Sequence, residues 1–145
     1  MIFKQIKSGG DRNYAYLIAS EITMEAALVD PSPDTAVVME TVEQEVIEIR
    51  YAINTHSHFH HSGGNEKFRK DRTGKPITFI NCSKDTAVRA EKVLKLGELN
   101  LGFIPTPGHT PDSICIKVNN KLITGDTLFV GKVGGTYKKK CENGI

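Results

Sequence analysis

The sequence predicts a single domain of the α+β class, in which short strands and a few helices are mixed. Its 145 residues are the size of one domain and are enough to bury a core. Short apolar runs bounded by Gly, Pro, Asn or Asp indicate strands, and segments with helical spacing lie between them. All five histidines lie in two short polar segments that follow predicted strands. A functional site is therefore expected at strand ends.

The first third of the chain predicts a meander of strands followed by a helix. Strands are expected at residues 2–6, 13–19 and 26–29, and short connections favour antiparallel pairing between them. The segment Asp30-Pro31-Ser32-Pro33 ends the third strand. A helix is then expected over residues 34–45, because its apolar positions have helical spacing and a proline precedes it.

The middle of the chain predicts a strand that leads directly into the histidines. Residues 45–53 alternate between apolar and polar side chains and deliver Asn54 and Thr55 at the carboxyl end. A short polar helix is expected over residues 66–71, with Asn65 as its N-cap. A strand at 77–80 and a helix at 83–92 follow.

The last third predicts strands and turns. Residues 94–105 contain two strand pieces, which are joined at Gly97 and broken at Gly102. Residues 113–118 and 121–124 form a predicted hairpin about Asn119-Asn120, and Gly125-Asp126 follows its second strand.

The histidine spacing predicts a metal site. In an extended segment, residues i and i+2 point the same way, so His56 and His58 can face one ion. His61 lies beyond a turn and can reach a neighbouring point, while His109 comes from elsewhere in the fold. Imidazole and carboxylate groups are common zinc ligands, and Asp126 supplies the acidic group at another strand end.

Composition limits the possible partners and compartments. A net charge of +2 predicts neither a nucleic-acid nor a membrane partner, and no stretch is apolar enough to span a bilayer. The cysteines Cys82, Cys115 and Cys141 form no CxxC pair, so no disulfide is expected and Cys115 is predicted to be a buried free thiol. These features favour a cytoplasmic location.

Three motifs together resemble the metallo-β-lactamase superfamily. They are Thr55-His56-Ser57-His58, continued by His60-His61, then Thr106-Pro107-Gly108-His109, and then Gly125-Asp126-Thr127-Leu128-Phe129. The sequence around Gly125 is most similar to the branch of the family that includes glyoxalase II-type thioester hydrolases and persulfide dioxygenases. The resemblance implies an αββα sandwich. It also implies a first metal on His56, His58 and His109, a bridging Asp126, and a second metal served by His61.

One position departs from the family pattern: His60 occupies the place of the family's aspartate. An imidazole can bind a metal or carry a proton but adds no negative charge, so the second metal is expected to bind weakly or not at all. We therefore expect one zinc ion per chain, with iron as the alternative. His60 and Asp126 are the predicted catalytic residues, and the loss of the acid is expected to reduce catalysis.

A second departure is the length of the chain. Family members continue beyond the Gly-Asp motif into the second half of the sandwich. Residues 1–145 are therefore expected to form a single metallo-β-lactamase-like domain that lacks most of the usual C-terminal half. We expect the sheet left uncovered to form a homo-oligomer.

The predicted function is a metal-dependent hydrolase that acts on a small ester or thioester through metal-bound hydroxide. One alternative is a catalytically compromised metal-binding half-domain that serves as an assembly partner. A further alternative is an iron-dependent activity of the persulfide dioxygenase type. Ligand types alone do not decide between zinc and iron.

Overall fold

The computed structural model describes residues 1–10, 13–71, 73–81 and 92–136. Its first sheet has five strands in chain order, in which β1–β3 pair antiparallel and β3–β5 pair parallel. These strands are β1 Ile2–Lys7, β2 Tyr14–Ala19, β3 Glu25–Val29, β4 Glu48–Asn54 and β5 Thr78–Asn81. The predicted meander of the first three strands is confirmed.

A second sheet and a small hairpin follow. The sheet is antiparallel, and its strands are β6 Val93–Leu96, β7 Leu99–Pro105, β8 Ile114–Val118 and β9 Lys121–Ile123. Strands β10 Leu128–Phe129 and β11 Lys132–Val133 form the separate hairpin. The predicted turn at Asn119-Asn120 is confirmed, and Asn119 takes the left-handed backbone conformation at φ 49°.

Two sequence-based expectations about these elements are wrong. Gly102 does not break a strand, because it pairs with both Val93 and Lys117 while its neighbours Leu101 and Phe103 are buried in the core. The predicted helix at 66–71 is only a 3₁₀ turn, Asn65–Phe68. Asn65 lies within that turn, where its amide donates to Asn54 Oδ1 at 2.8 Å and does not cap a helix.

Two α-helices lie within the described residues. The predicted first helix is confirmed as α1, Ala36–Glu45, which begins two residues later than expected. The four-residue helix α2, Phe59–Ser62, was not predicted. The predicted helix at 83–92 falls almost entirely outside the described residues. Within them, no helix has the length and apolar character needed to cross a membrane.

Two buried clusters hold the layers together. The first fills the space between the two sheets, and Ile18, Ile53, Leu101 and Ile116 are fully buried in it. The second joins the other face of the first sheet to α1. The α+β fold is therefore confirmed, with a helix layer and two sheets in the described part of the chain. Cys115 is a buried free thiol, as predicted.

The second sheet has a mixed outer surface. Val93 and Leu122 are more than half exposed on it, and the exposed Lys117 lies between them in the strand register. Homo-oligomer formation through this sheet stays a prediction.

The parallel pairing of β3 with β4 determines where the site forms. The carboxyl ends of parallel strands meet at one edge of a sheet. Asp30, which follows β3, therefore lies beside Thr55, which follows β4, and Thr55 N–H donates to Asp30 Oδ1 at 2.7 Å. The histidine segment begins at this edge.

Candidate metal centre

The five histidines and Asp126 converge on one place. Strand β4 delivers His56 and His58, α2 carries His60 and His61, and the loops before β8 and after β9 contribute the other two residues. Their donor atoms fall into two groups that share His56 and Asp126, and within each group all donor atoms lie within 4.8 Å of one another. All of the residues predicted from the sequence to bind metal are thus brought together. Their individual roles stay predictions.

The first group consists of His56, His58, His109 and Asp126. His58 Nδ1 lies 3.0 Å from His56 Nε2 and 3.1 Å from His109 Nε2. Asp126 Oδ2 lies 3.4 Å from His109 Nε2 and 3.9 Å from His56 Nε2. Three imidazole nitrogens and a carboxylate that converge in this way could together hold a metal ion.

The second group replaces His58 and His109 with His60 and His61. His60 Nε2 lies 3.4 Å from Asp126 Oδ2, and His61 Nε2 lies 3.2 Å from Asp126 Oδ1. The two carboxylate oxygens of Asp126 therefore face both groups. The His60 side chain is 44% exposed and His61 is buried.

Hydrogen bonds determine which nitrogen of His56 faces the site. The carboxylate of Asp30 can only accept, so Thr55 Oγ1, 2.7 Å from Asp30 Oδ2, must donate to it. Thr55 Oγ1 then has only lone pairs left for His56 Nδ1 at 3.1 Å, and that nitrogen must carry the proton. The Nε2 lone pair of His56 is left pointing into the site.

Two further histidines are oriented in the same manner. His61 Nδ1 donates to Asp30 Oδ2 at 2.9 Å, and His109 Nδ1 donates to the carbonyl oxygen of Gly135 at 2.7 Å. In their neutral forms, both rings then present Nε2 lone pairs to the site. Such outer hydrogen bonds hold metal-binding imidazoles in one tautomer and orientation.

Asp30 is the functional residue that sequence reasoning missed. It was interpreted only as the end of a strand, although it is 1% exposed and bonds to Thr55 and His61. An acidic residue at the end of an apolar strand, beside prolines that end the strand, was the available signal. An aspartate that only forms a turn has the same sequence pattern. The β3–β4 pairing, which places Asp30 beside Thr55, is what distinguishes a site residue from a turn residue.

Burial and charge set the protonation of the metal-free site. Burial and the neighbouring His61 lower the pKa of His56 to about 3, and burial together with His109 lowers the pKa of His58. Burial alone would also lower the pKa of His61, but the carboxylates of Asp126 and Asp30 outweigh it and raise that pKa to about 9.

The carboxyl group of Asp126 responds in the opposite sense. Burial alone would raise its pKa, but the hydrogen bond and charge of His61, with a smaller contribution from His60, hold it well below its usual range. In the first group, His56 and His58 are therefore neutral at pH 7, while in the second His61 must release a proton before its nitrogen can bind a metal.

A cavity of about 690 Å³ opens beside the second group. His60, His61 and Asp126 line one side of it, while Tyr14, Phe129 and other residues line the rest. Lys132 also lines it. A cavity of this size accommodates a small organic molecule.

Comparison with known proteins agrees with this geometry. The family model of the Metallo-beta-lactamase superfamily matches residues 8–81. The cytoplasmic hydroxyacylglutathione hydrolase isozyme of Saccharomyces cerevisiae is 34% identical over 160 residues, which cover 98% of this chain and 58% of that relative. A hydroxyacylglutathione hydrolase of Anaeromyxobacter dehalogenans is 37% identical, over 99% of this chain and 54% of its own length. This chain thus spans about half the length of the curated relatives it matches.

Solved structures give the same result. The crystal structure of ETHE1 from Myxococcus xanthus superposes with a TM-score of 0.73 at 27% identity, covering 94% of this chain and 64% of that one. The BLEG-1 B3 metallo-beta-lactamase superposes with a TM-score of 0.69 at 24% identity, over 92% of this chain and 76% of its own, and supports the fold alone. Because the family model covers half of the sequence and its histidines and aspartate converge on one site, this chain belongs to the metallo-β-lactamase superfamily.

Proposed function

We propose that this chain carries the metal centre of a hydrolase that cleaves a thioester or ester bond. The observation that carries the proposal is the position of two donor groups around Asp126 at the wall of an open cavity. A bond that enters this cavity would lie beside the centre. The similarity to hydroxyacylglutathione hydrolases supports the reaction class.

The residues present fit a divalent ion, for which zinc is the proposed identity. His56, His58 and His109 would hold it with Asp126, because His56 and His109 already present Nε2 lone pairs and His58 Nδ1 faces both. A bound zinc ion would supply a water molecule of lowered pKa and polarise the carbonyl group of the substrate. Iron on the same nitrogens, with a dioxygenase activity, is the alternative ion chemistry.

The chain's own residues have separable roles. Asp126 contributes the negative charge between the two groups. Asp30 orients the imidazole of His61 directly and that of His56 through Thr55. The assignment of His60 to proton transfer stays a prediction.

The first substrate class to test is the thioester of a hydroxy acid with glutathione, because the relatives are named for it. Residues 131–135 do not reproduce the Gly-Cys-Gly-Arg-like segment of glyoxalase II-type enzymes. Thioesters of other thiols and simple aryl esters therefore belong in the same series. The cytoplasm is the proposed compartment, in keeping with the yeast cytoplasmic isozyme.

The test is hydrolysis of this series by the zinc-loaded chain, with and without a chelator. We expect turnover that the chelator abolishes and added zinc restores. Absence of chelator-sensitive turnover in every oligomeric form would reject the hydrolase and favour the metal-binding assembly partner. Turnover of a persulfide that requires iron and oxygen would favour the dioxygenase.

A further inference from the structure

The cavity beside the metal centre has a wall that the proposed chemistry does not use. Gln5 and Tyr16, which face each other on β1 and β2, form part of it. We propose that the Tyr16 hydroxyl, held by Gln5, donates a hydrogen bond to a hydroxyl group on the acyl part of the substrate. The cavity would thereby select hydroxyacyl thioesters over plain acyl thioesters. This inference rests on the proposed function and adds a specificity-determining residue to it.

The ring of Tyr16 has a rigid support. It is partly buried against the first buried cluster, between the two sheets, and its centroid lies 6.0 Å from that of Phe3. The neighbouring Ala15 and Leu17 are fully buried on the opposite face of the same sheet. Because side chains alternate along a strand, Tyr16 cannot turn away from the cavity that it lines. A group placed on such a support meets a ligand in a fixed orientation.

The Tyr16 hydroxyl keeps its own proton for a ligand. Gln5 Nε2 donates to Tyr16 Oη at 3.1 Å, and within the described residues this is the one hydrogen bond of that oxygen. The carboxylate of Asp30 already accepts hydrogen bonds from Thr55 and His61. A phenol that accepts one hydrogen bond still has its O–H to donate. A molecule in the cavity would supply the acceptor.

The charge of Asp30 determines which kind of acceptor fits. Val29 is the partner of Tyr16 in the strand register, and Asp30 follows it. Burial raises the pKa of the Tyr16 hydroxyl, and the negative charge of Asp30 also raises that pKa, while the hydrogen bond from Gln5 opposes them. The hydroxyl is therefore a neutral donor at pH 7. A carboxylate beside it would be repelled by Asp30, so a neutral oxygen such as an alcohol is the acceptor that fits.

The first substrate class of the proposed function, a thioester of a hydroxy acid, carries such an alcohol. A site that hydrogen-bonds a substrate hydroxyl discriminates against the analogue that lacks it, because the donor then loses its partner. Tyr16 is only partly buried, so water can replace part of that lost bond. We therefore expect a preference of about 5-fold, the size of one neutral hydrogen bond.

The first experiment measures binding by calorimetry and needs no turnover. The probes are S-(2-hydroxypropyl)glutathione and S-propylglutathione, two thioethers that differ by one hydroxyl group and cannot be hydrolysed. The zinc-loaded wild type should bind the hydroxyl-bearing probe about 5-fold more tightly. Tyr16→Phe keeps the ring and should bind both probes equally. Tyr51→Phe is the matched control and should keep the preference, because Tyr51 packs against the same cluster but lies outside the lining of the cavity.

The second experiment compares hydrolysis of the 2-hydroxypropionyl and propionyl thioesters of glutathione. The wild type should favour the first by about 5-fold in kcat/KM, and Tyr16→Phe should lose this preference mainly through KM. Gln5→Ala, which frees the Tyr16 hydroxyl to rotate, should show an intermediate preference.

Two results of the binding experiment would overturn the proposal. One is a wild type that binds neither probe or binds both equally. The other is a Tyr16→Phe variant that weakens both probes by the same factor, as expected of a residue that only supports the fold. Hydrolysis of both thioesters with equal kcat/KM would leave the hydrolase standing and reject this specificity. A binding preference without any turnover would reject the hydrolase and leave the recognition by Tyr16 standing.

Discussion

The two donor groups of the centre are built on different supports. The first group lies at the end of β4 and on a loop. His56 is buried, and the His109 side chain is 11% exposed and bonded to the backbone at Gly135. The second group stands on the four-residue helix α2, where His61 is anchored by Asp30. Within the described residues, the one hydrogen-bonding contact of the His60 ring is Asp126.

This difference shows how one fold supplies two kinds of ligand position. In the first group, a backbone carbonyl orients His109, and the carboxylate of Asp30 orients His56 only indirectly, through Thr55. The orientation of the second depends on one buried carboxylate and on the exposed side of one helical turn. We therefore expect the first position to bind metal more tightly and the second to be more sensitive to mutation.

The largest expected effect comes from removing the charge of Asp30. In Asp30→Asn, the amide would present a donor to Thr55 or to His61 Nδ1, which are themselves donors. We expect the second position to lose about 10–100-fold in zinc affinity, measured by competition with a chromophoric chelator. The first position should lose less, because Asp30 reaches His56 only through Thr55.

Asp34→Asn is the control for this substitution, because Asp34 lies four residues away and is exposed. It should leave both affinities unchanged. The melting temperature of metal-free Asp30→Asn should fall as well, because a buried hydrogen bond costs about 1–3 kcal/mol when one partner is left unsatisfied. Equal loss at both positions would contradict the difference drawn between the groups.

A smaller effect, shared by both positions, is expected from Gly134→Ala. A Cβ at Gly134 would lie 1.7 Å from the carbonyl oxygen of Asp126, so the backbone of the shared ligand would have to move. We expect both positions to lose about 10-fold in zinc affinity, in the same competition assay. Gly108→Ala is the matched control: it lies next to His109, but its Cβ would meet nothing within 4 Å. A loss confined to one position would show that Asp126 does not serve both.

The sequence predicted the parts of the centre that depend on local pattern. The strand before His56, the antiparallel hairpin before Asp126 and the convergence of all the predicted ligands are found in the structure. The helix α2 was missed, because four residues are too few to show helical spacing. The role of Asp30 was missed, because it follows from the parallel pairing of two strands that are separated by α1.

The smallest expected effect is a pH dependence of the stability of the metal-free protein. The pKa values of His56 in the first group and His61 in the second shift in opposite directions, so they affect stability on opposite sides of neutral pH. The pKa of His56 is lowered from 6.5 to about 3, so its buried neutral form favours folding above pH 6.5 and that advantage is lost as the pH falls toward 3. The pKa of His61 is raised from 6.5 to about 9, so its stabilising charge is fully present below pH 6.5 and is lost as the pH rises through 9. The melting temperature should therefore peak near pH 6.5 and fall by a few degrees on either side.

In His61→Gln the decline between pH 6.5 and 9 should disappear while the acid decline remains, as followed by circular dichroism in chelator. A wild type equally stable at pH 6.5 and 9 would show that His61 is not held between two carboxylates in solution.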